Sequence, residues 1–185
     1  MSTHETPQHR EPSQPHEPPQ PHDDARRDGR LTHVREDGSA HMVDVSAKAV
    51  TARVAVASSR LTTTAEVVDQ MLDGTLPKGD ALAVARVAGI MAAKRTPDLV
   101  PLCHPLPLTG VAVDLARAED DAGAIEISAR VKTTGVTGVE MEALTAASVA
   151  ALTLYDMVKA LDREAVIGPT RVEHKAGGAS GDWSR

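Results

Sequence analysis

The sequence predicts an α+β domain with the ferredoxin-like βαββαβ plan, an antiparallel sheet with helices packed on one face. Apolar residues recur in steps of three and four over residues 138–162, which is typical of a long helix. Alternating apolar stretches on either side of residues 119–123 indicate a β-hairpin before that helix. Further strands precede and follow, so the predicted order is strand, helices, strand, strand, helix, strand.

Composition narrows the class of protein. The 185 residues suit one domain of ordinary size, and a net charge of −6 with 1% aromatic residues argues against nucleic-acid binding. The single cysteine, Cys103, excludes an intrachain disulfide and a multi-cysteine zinc site. Because the core lacks Phe and relies on small apolar residues, a core shared between subunits would add buried area, so we expect a homo-oligomer.

The chain divides into a tail, a domain and a short end. Residues 1–30 are rich in Pro and His without hydrophobic periodicity, and they are predicted to be disordered. Four histidines in this tail are irregularly spaced, so they are predicted to be solvated and not to form a metal site: His4, His9, His16 and His22. The domain is predicted over residues 31–181, and 182–185 form a C-terminal end. No long apolar run suggests a signal or membrane segment, so a cytoplasmic protein is expected.

The first half of the domain begins with extended chain. Residues 31–35 and 41–45 are predicted as short extended pieces around a turn at Asp37 and Gly38. The first full strand is predicted over residues 50–60. This strand leads directly into the helical part.

Two helices are predicted after the first strand. Thr63 as N-cap with Glu66 three residues later forms a capping box, and the first helix ends before Gly74. The second helix is predicted over residues 81–94 and ends at Pro97. The first crossover of the sheet therefore contains two helices.

The second half supplies the hairpin and the last strands. Residues 111–115 and 125–131 alternate as two strands, and residues 165–167 and 171–175 form a final strand broken at Gly168-Pro169. The outward positions of the second hairpin strand are polar, which predicts a solvated or interfacial sheet face: Glu126, Ser128, Arg130 and Lys132.

The long helix carries both an apolar stripe and ionisable ends. Glu140 and Glu142 lie near its N-terminus, and Asp156 and Lys159 lie near its C-terminus, as the helix dipole favours. Spacing alone leaves a structural and a catalytic role open for Asp156 and Lys159. The predicted stripe is Met141, Leu144, Ala147, Ala151, Leu154, Val158 and Leu161.

Two loops hold further candidate site residues. Lys78 precedes the second helix, where free backbone N–H groups favour an anion. Cys103 and His104 lie between prolines that restrict the backbone. Adjacent side chains on an extended segment point in opposite directions, which argues against a cysteine–histidine nucleophile.

Seven stretches together resemble one family. They are 41–45 (HMVDV), 78–80 (KGD), 92–96 (AAKRT), 101–106 (PLCHPL), 137–145 (TGVEMEALT), 155–159 (YDMVK) and 166–169 (VIGP). In this order and spacing they resemble cyclic pyranopterin monophosphate synthase, the C protein family of molybdenum cofactor biosynthesis. The resemblance covers residues 31–181.

The resemblance implies a lyase that converts 3′,8-cyclo-7,8-dihydroguanosine 5′-triphosphate to cyclic pyranopterin monophosphate and pyrophosphate. It implies Asp156 as the catalytic acid/base residue, with Lys159 beside it. The substrate contacts that it implies are Leu102, Cys103, His104, Glu140, Met141 and Glu142, and the cations assigned to the triphosphate are Lys78, Arg53 and Lys175. It implies no resident cofactor, with Mg²⁺ allowed on the substrate triphosphate.

Helix geometry adds a prediction about assembly. Glu142 and Asp156 are 14 residues apart, or about 21 Å on one straight helix, which is too far for one small substrate to touch both. We therefore predict that the pocket is completed across a two-fold interface. The resemblance implies a homohexamer, a trimer of dimers with interfacial active sites.

Two other functions compete with this interpretation. The first is a non-catalytic ferredoxin-like module that binds a nucleotide or small metabolite at its subunit interface. The second is a metallohydrolase that uses His41, His104 and His174, whose spacing fits neither a helix nor a hairpin. Turnover separates the synthase from the first, and the response to chelators separates it from the second.

Overall fold

A computed structural model of the protein describes residues 34–35, 37–179 and 181–185. The predicted tail, with its four histidines, and residues 31–33 lie outside the described residues. The strands are β1 Thr51–Thr62, β2 Leu108–Arg117, β3 Ala124–Gly135, β4 Val166–Ile167, β5 Arg171–Ala176 and β6 Trp183–Ser184. The helices are α1 Ala65–Leu72, α2 Ala81–Ala93, α3 Thr96–Leu99 and α4 Glu140–Val158.

The described strands form one antiparallel sheet. Its order is β2-β3-β1-β5-β6, and β4 pairs with the end of β1. β1 and β3 pair along their whole length, from Thr51 opposite Gly135 to Thr62 opposite Ala124. The predicted α+β class with an antiparallel sheet is therefore confirmed.

One face of the central strands forms the core. On β1 and β3, alternate residues are buried, and the side chains between them are more exposed. α4 packs on β1 and β3, while α2 packs against α4 and β2. The predicted outward residues Ser128, Arg130 and Lys132 are exposed, as the period of two requires.

The contact between α2 and α4 is made by the smallest residues. A Cβ atom added to Gly89 would lie 2.9 Å from the backbone oxygen of Ala146 and 3.3 Å from the Cβ of Ala150. The buried face of α4 is rich in alanine, with Ala143, Ala146, Ala147, Ala150 and Ala151 all buried. The two helix backbones therefore approach closely.

The predicted stripe of α4 is only partly right. Met141 and Leu161 are 39% and 44% exposed, whereas Glu142 is buried at 2% exposure. The buried face is thus rotated toward the alanines, because close packing on α2 favours small residues over long ones. Among the described residues, α4 alone is long and apolar enough to cross a membrane, and half of it is buried in this fold.

The first helix begins one residue later than predicted. Thr64 is the N-cap, and its side chain accepts a hydrogen bond from the backbone N–H of Val67. Thr63 instead donates its hydroxyl to Asp162 Oδ2 at 2.6 Å. The proposed capping box of Thr63 and Glu66 is therefore wrong, because a tertiary partner engages the first threonine.

Other boundaries need smaller changes. Pro97 follows the second helix, as predicted. It also lies in the first turn of a further short helix, α3. The break at Gly168-Pro169 separates β4 from β5 as predicted. The turn at Asp37 and Gly38 is also present, with Gly38 at a φ of 82°.

Candidate active site

At the C-terminal end of α4, a carboxylate lies between two lysines. Asp156 Oδ1 is 2.6 Å from Lys159 Nζ, and Asp156 Oδ2 is 3.3 Å from Lys78 Nζ. Lys78 reaches the helix because it lies in a turn closed by a hydrogen bond from the Gly79 N–H to the Leu76 carbonyl. The structure therefore places Lys78 beside the predicted acid/base residue.

The electrostatics of this group follow from its contacts. The hydrogen bond from Lys159, together with Lys78, holds the pKa of Asp156 below its usual range. The same carboxylate raises the pKa of Lys159. All three side chains are partly exposed, at 58% for Asp156, 51% for Lys159 and 41% for Lys78. The group thus offers an ionised carboxylate and two ammonium groups to a ligand from solvent.

At the N-terminal end of α4, a carboxyl group is buried. Glu142 receives a hydrogen bond from the Cys103 thiol to its Oε1, with 3.7 Å between Sγ and Oε1. Its other oxygen, Oε2, has no hydrogen-bond partner among the described residues. Burial raises the pKa of Glu142, which favours a proton on this carboxyl relative to an exposed one.

The thiol of Cys103 shares this environment. Burial, together with the adjacent Glu142, raises the pKa of Cys103 to about 11. His104 is directed elsewhere, and its Nε2 lies 2.8 Å from the carbonyl oxygen of Val43. Cys103 and His104 therefore do not form a nucleophilic pair, in agreement with the prediction.

Two cations lie near the same end of α4. Lys175 Nζ is 3.1 Å from Glu140 Oε1. Arg53 donates Nε–H and Nη2–H to the carbonyl oxygens of Gly135 and Val136, each at 3.0 Å. These carbonyls end β3 and lead toward α4, so Arg53 ties the sheet to the start of the long helix.

A glycine with a positive φ lies beside Arg53. Gly178 has a φ of 84°, and a Cβ there would overlap the Arg53 guanidinium. The positive φ is the stronger reason for glycine at this turn after β5, since the end of the flexible Arg53 side chain could shift.

The predicted site residues thus fall into two groups on one helix. Asp156, Lys159 and Lys78 lie together at the C-terminal end of α4. The N-terminal group contains Glu140, Met141, Glu142, Cys103, Arg53 and Lys175, with half-buried Leu102 and His104 in the loop that carries Cys103. Glu142 and Asp156 both lie within α4, so the predicted separation of about 21 Å holds for one chain.

The histidine alternative finds no geometry to support it. His104 contacts the Val43 carbonyl, and His174 Nδ1 lies 2.9 Å from Ser184 Oγ. Within residues 34–35, 37–179 and 181–185, no group of three or more His, Cys, Asp or Glu side chains could hold a metal ion. The three histidines of the proposed metallohydrolase are therefore not brought together.

Two features of the site had no sequence prediction. The Val43 carbonyl contacts His104, and the only sequence signal for Val43 was its place in the 41–45 stretch. Trp183 and Ser184 form β6 beside Lys175. The only signal for that strand was an aromatic residue in an otherwise polar end.

Fold and site together define a small α+β protein with ionisable groups at both ends of one core helix. Residues 42–178 match the sequence profile of the MoaC family, and the chain belongs to that family.

Several curated relatives match most of the chain. The protein of Corynebacterium efficiens is 64% identical over 83% of this chain and 97% of its own length. The protein of Streptomyces avermitilis is 64% identical over 84% of this chain and 90% of its own length. Both relatives are named cyclic pyranopterin monophosphate synthase. A Mycobacterium bovis protein named cyclic pyranopterin monophosphate synthase 2 is 62% identical over 86% of this chain and 93% of its own length.

Proposed function

We propose that this chain is a cyclic pyranopterin monophosphate synthase, a lyase of molybdenum cofactor biosynthesis. Its substrate is (8S)-3′,8-cyclo-7,8-dihydroguanosine 5′-triphosphate, and its products are cyclic pyranopterin monophosphate and pyrophosphate. Family membership and the names of close relatives support the reaction. The observation that carries the proposal is the Asp156 carboxylate held between Lys159 and Lys78.

The C-terminal group supplies the proton transfers. Rearrangement of the guanine-derived rings needs a group that accepts a proton and one that returns it. Asp156 is ionised and accepts a proton, while the Lys159 ammonium, 2.6 Å away, donates one. Lys78 brings a second positive charge for a phosphate oxygen or a developing oxyanion.

The N-terminal group binds the substrate. Buried Glu142 has an oxygen without a protein partner, which suits a hydrogen bond to a ring N–H of the substrate. Arg53 and Lys175 bind the triphosphate, since a polyanion on a chain of net charge −6 requires cations concentrated in one place. The neighbouring contacts are Leu102, Cys103, His104, Glu140 and Met141.

We propose that a complete pocket takes these two groups from different subunits. Because about 21 Å of helix separates Glu142 from Asp156, a two-fold axis that brings unlike ends together completes the site. The homo-oligomer is proposed as a hexamer, a trimer of dimers. Exposed apolar residues on α2 support an oligomer: Val84, Val87 and Met91 are 47%, 56% and 50% exposed.

Three finer properties accompany this function. The strand order β2-β3-β1-β5 and two crossovers with helices support the ferredoxin-like classification. The enzyme needs no resident cofactor, and Mg²⁺ enters with the triphosphate. The reaction takes place in the cytoplasm, where a GTP-derived substrate is available.

The test of function is pyrophosphate release and pterin formation from the cyclised substrate. We expect activity in the native chain and its loss in Asp156→Ala and Lys159→Ala, at unchanged oligomer size. Lys132→Ala, which removes an exposed lysine from the other sheet face, is the matched control and retains activity. A native chain that binds the substrate without turnover would instead support the non-catalytic binding module.

Subunit mixing tests the shared pocket. Asp156→Ala and Glu142→Ala are each inactive alone, but a mixed dimer contains one pocket with both native residues. Random mixing restores about a quarter of native activity if pockets are shared across a two-fold axis. No recovery after verified subunit exchange would show that both residues serve one chain's own pocket.

A further inference from the structure

The C-terminal strand β6 lies beyond the part of the chain that matches the family. The match ends at residue 178, whereas β6 comprises Trp183–Ser184 and pairs with β5. In the antiparallel register, Trp183 is directly opposite Lys175, one of the proposed triphosphate ligands. The strand therefore adds a residue to the surroundings of the substrate site.

Register places both side chains on the helix-covered face of the sheet. Lys175 pairs with Ala55, and Ala55 pairs with Val131. Ala55 and Val131 are both fully buried under the helices. Directly opposite residues point to the same face, with Cβ atoms about 4.5–5.5 Å apart, so Trp183 flanks Lys175 on the side where Glu140 binds its ammonium.

Several contacts hold β6 in place. Ser184 Oγ lies 2.9 Å from His174 Nδ1, and Asp182 Oδ1 accepts a hydrogen bond from the Gly177 N–H at 3.1 Å. The Arg185 N–H donates to the Glu173 carbonyl at 2.9 Å. These contacts come from both sides of Trp183, so its position is set by the sheet edge.

The indole also has a charged neighbour. The Arg185 guanidinium carbon lies 5.7 Å from the centroid of the Trp183 ring, which is within the range of a cation–π contact. Trp183 remains 42% exposed. A partly exposed aromatic residue thus lies opposite Lys175 on the neighbouring strand.

We propose that Trp183 is a positioning residue that keeps the Lys175 side chain directed toward the triphosphate. This inference rests on the proposed function. A lysine has four rotatable side-chain bonds and loses much conformational entropy when it binds a ligand. On an uncovered strand edge, its ammonium could also turn outward to solvent. Trp183 lies directly opposite on the same face and so restricts the conformations open to Lys175 on that side, which lowers the entropy lost when Lys175 binds phosphate.

A binding experiment with inorganic triphosphate tests this role. Calorimetric affinities are compared for the native chain, Trp183→Ala, Trp183→Phe, Lys175→Ala and the double variant Trp183→Ala/Lys175→Ala. We expect Trp183→Ala to weaken binding by up to about fivefold, the range of a cross-strand pair, and Trp183→Phe to restore most of it. In the Lys175→Ala background, removal of Trp183 has no further effect, because its action passes through Lys175.

Kinetics and fluorescence give independent readouts. Trp183→Ala is expected to raise KM by the same factor while kcat stays unchanged, and Val166→Ala, an exposed residue on β4, serves as the control. Trp183 is the only tryptophan, so triphosphate binding changes the emission of this one residue. This second measurement needs no variant and is independent of any change in folding.

The outcomes separate the two proposals. If the native chain turns over but Trp183→Ala has native affinity and KM, the positioning role is overturned while the function stands. An equal loss with and without Lys175, or silent fluorescence during proven binding, overturns it as well. A native chain that neither binds triphosphate nor turns over overturns both proposals.

Discussion

Lys78 and Asp156 are 78 residues apart in sequence, and the lysine holds the aspartate by two contacts. Lys78 Nζ donates to the backbone oxygen of Asp156 at 2.6 Å and to its Oδ2 at 3.3 Å. One ammonium group therefore binds both the side chain and the backbone carbonyl of Asp156, near the C-terminal end of α4. Such a cation satisfies the helix end and fixes the carboxylate at once.

The titration of Asp156 should report this arrangement. Lys159 and then Lys78 lower the pKa of Asp156 below its ordinary value of 3.8. Removing the larger cause in Lys159→Gln is expected to raise the pKa of Asp156 toward its ordinary value. Carbon-13 NMR of the labelled carboxyl between pH 2 and 6 measures it. Lys132→Gln should leave the titration unchanged, and a native-like pKa in Lys159→Gln would contradict the ion pair.

The sign of the pH effect on stability follows from the same shift. Because the folded-state pKa is depressed, the ionised Asp156 stabilises the fold above its unfolded-state pKa. That contribution is lost as the pH falls through the folded-state pKa. In Lys159→Gln, acidification should therefore lower the free energy of unfolding by less than it does in the native chain. Denaturant unfolding of both proteins at pH 3 and pH 7 measures this difference.

Glu142 should show the opposite dependence. Burial raises its pKa, so its contribution to stability is present below the unfolded-state value of 4.5 and is lost as the pH rises through the folded-state pKa. Glu142→Gln keeps the shape without the charge, and we expect its Tm at pH 7 to exceed that of the native chain. A gain of 1 kcal/mol corresponds to about 2–4 °C in a chain of this size.

The Glu142→Gln gain should vanish near pH 3, where the native carboxyl is protonated in both the folded and the unfolded state. Catalytic activity should fall even as the Tm rises, since the variant loses an acceptor of the proposed substrate site. A lower Tm at pH 7 would mean that the charged form is stabilised by groups that this chain alone does not provide. Scanning calorimetry at the two pH values gives the comparison.

Cys103 should react slowly with alkylating reagents. With a pKa of about 11, the thiolate is a small fraction at neutral pH, and the thiolate is the nucleophile. The rate of iodoacetamide labelling should therefore rise about tenfold per pH unit between pH 7 and 10. Mass spectrometry measures the labelling, and a small-molecule thiol of ordinary pKa serves as the reference. A rate that levels off near pH 8 would contradict the raised pKa.

The small-residue contact of α2 with α4 predicts a strong effect of one methyl group. In Gly89→Ala the new Cβ meets the Ala146 backbone oxygen at 2.9 Å and the Val113 Cγ2 at 3.2 Å. Overpacking of this kind costs about 1–3 kcal/mol. The Tm should fall by several degrees, although alanine has the higher helix propensity.

Gly110→Ala is the matched control for that substitution. The nearest atoms to its added Cβ belong to Lys132 and lie 3.9 Å away, which is ordinary contact. We expect its Tm to remain close to the native value. If both variants melt alike, the helix contact is looser than the structure shows.

Much of the fold could be predicted because local rules and tertiary structure agree. The alternation of β2 and β3, the break at Gly168-Pro169 and the start of α2 after Asp80 follow from sequence alone. Asp80 caps α2 through a hydrogen bond from the Ala83 N–H at 2.9 Å. These are short-range interactions, so a single sequence contains the information.

The features that the sequence did not predict correctly depend on partners far away in sequence. Either Thr63 or Thr64 could cap α1, and the choice is made by Asp162, 99 residues from Thr63. The sequence placed Glu142 near a helix start, where the dipole favours a carboxylate, but did not predict that the Cys103 thiol and the packing of α4 bury it. Periodicity cannot identify such partners, because it treats a carboxyl group as polar regardless of its neighbours.

The candidate site shows the same division. Motif resemblance identified residues of both groups but assigned Lys78 to the phosphates with Arg53 and Lys175. The structure places Lys78 beside Asp156, because the turn before α2 lies against the C-terminal end of α4, and its assignment to the phosphates stays a prediction. β6 had no local signal strong enough for a prediction, since two residues pair only because the edge of β5 is open to them.

Alanine and glycine at the α2–α4 contact have a consequence for how the helix behaves. These residues have no side-chain torsions that could rearrange, and their backbones already touch. α4 therefore acts as a rigid spacer of constant length between Glu142 and Asp156. Each subunit therefore presents its two groups of ionisable side chains, at Glu142 and at Asp156, a fixed distance apart.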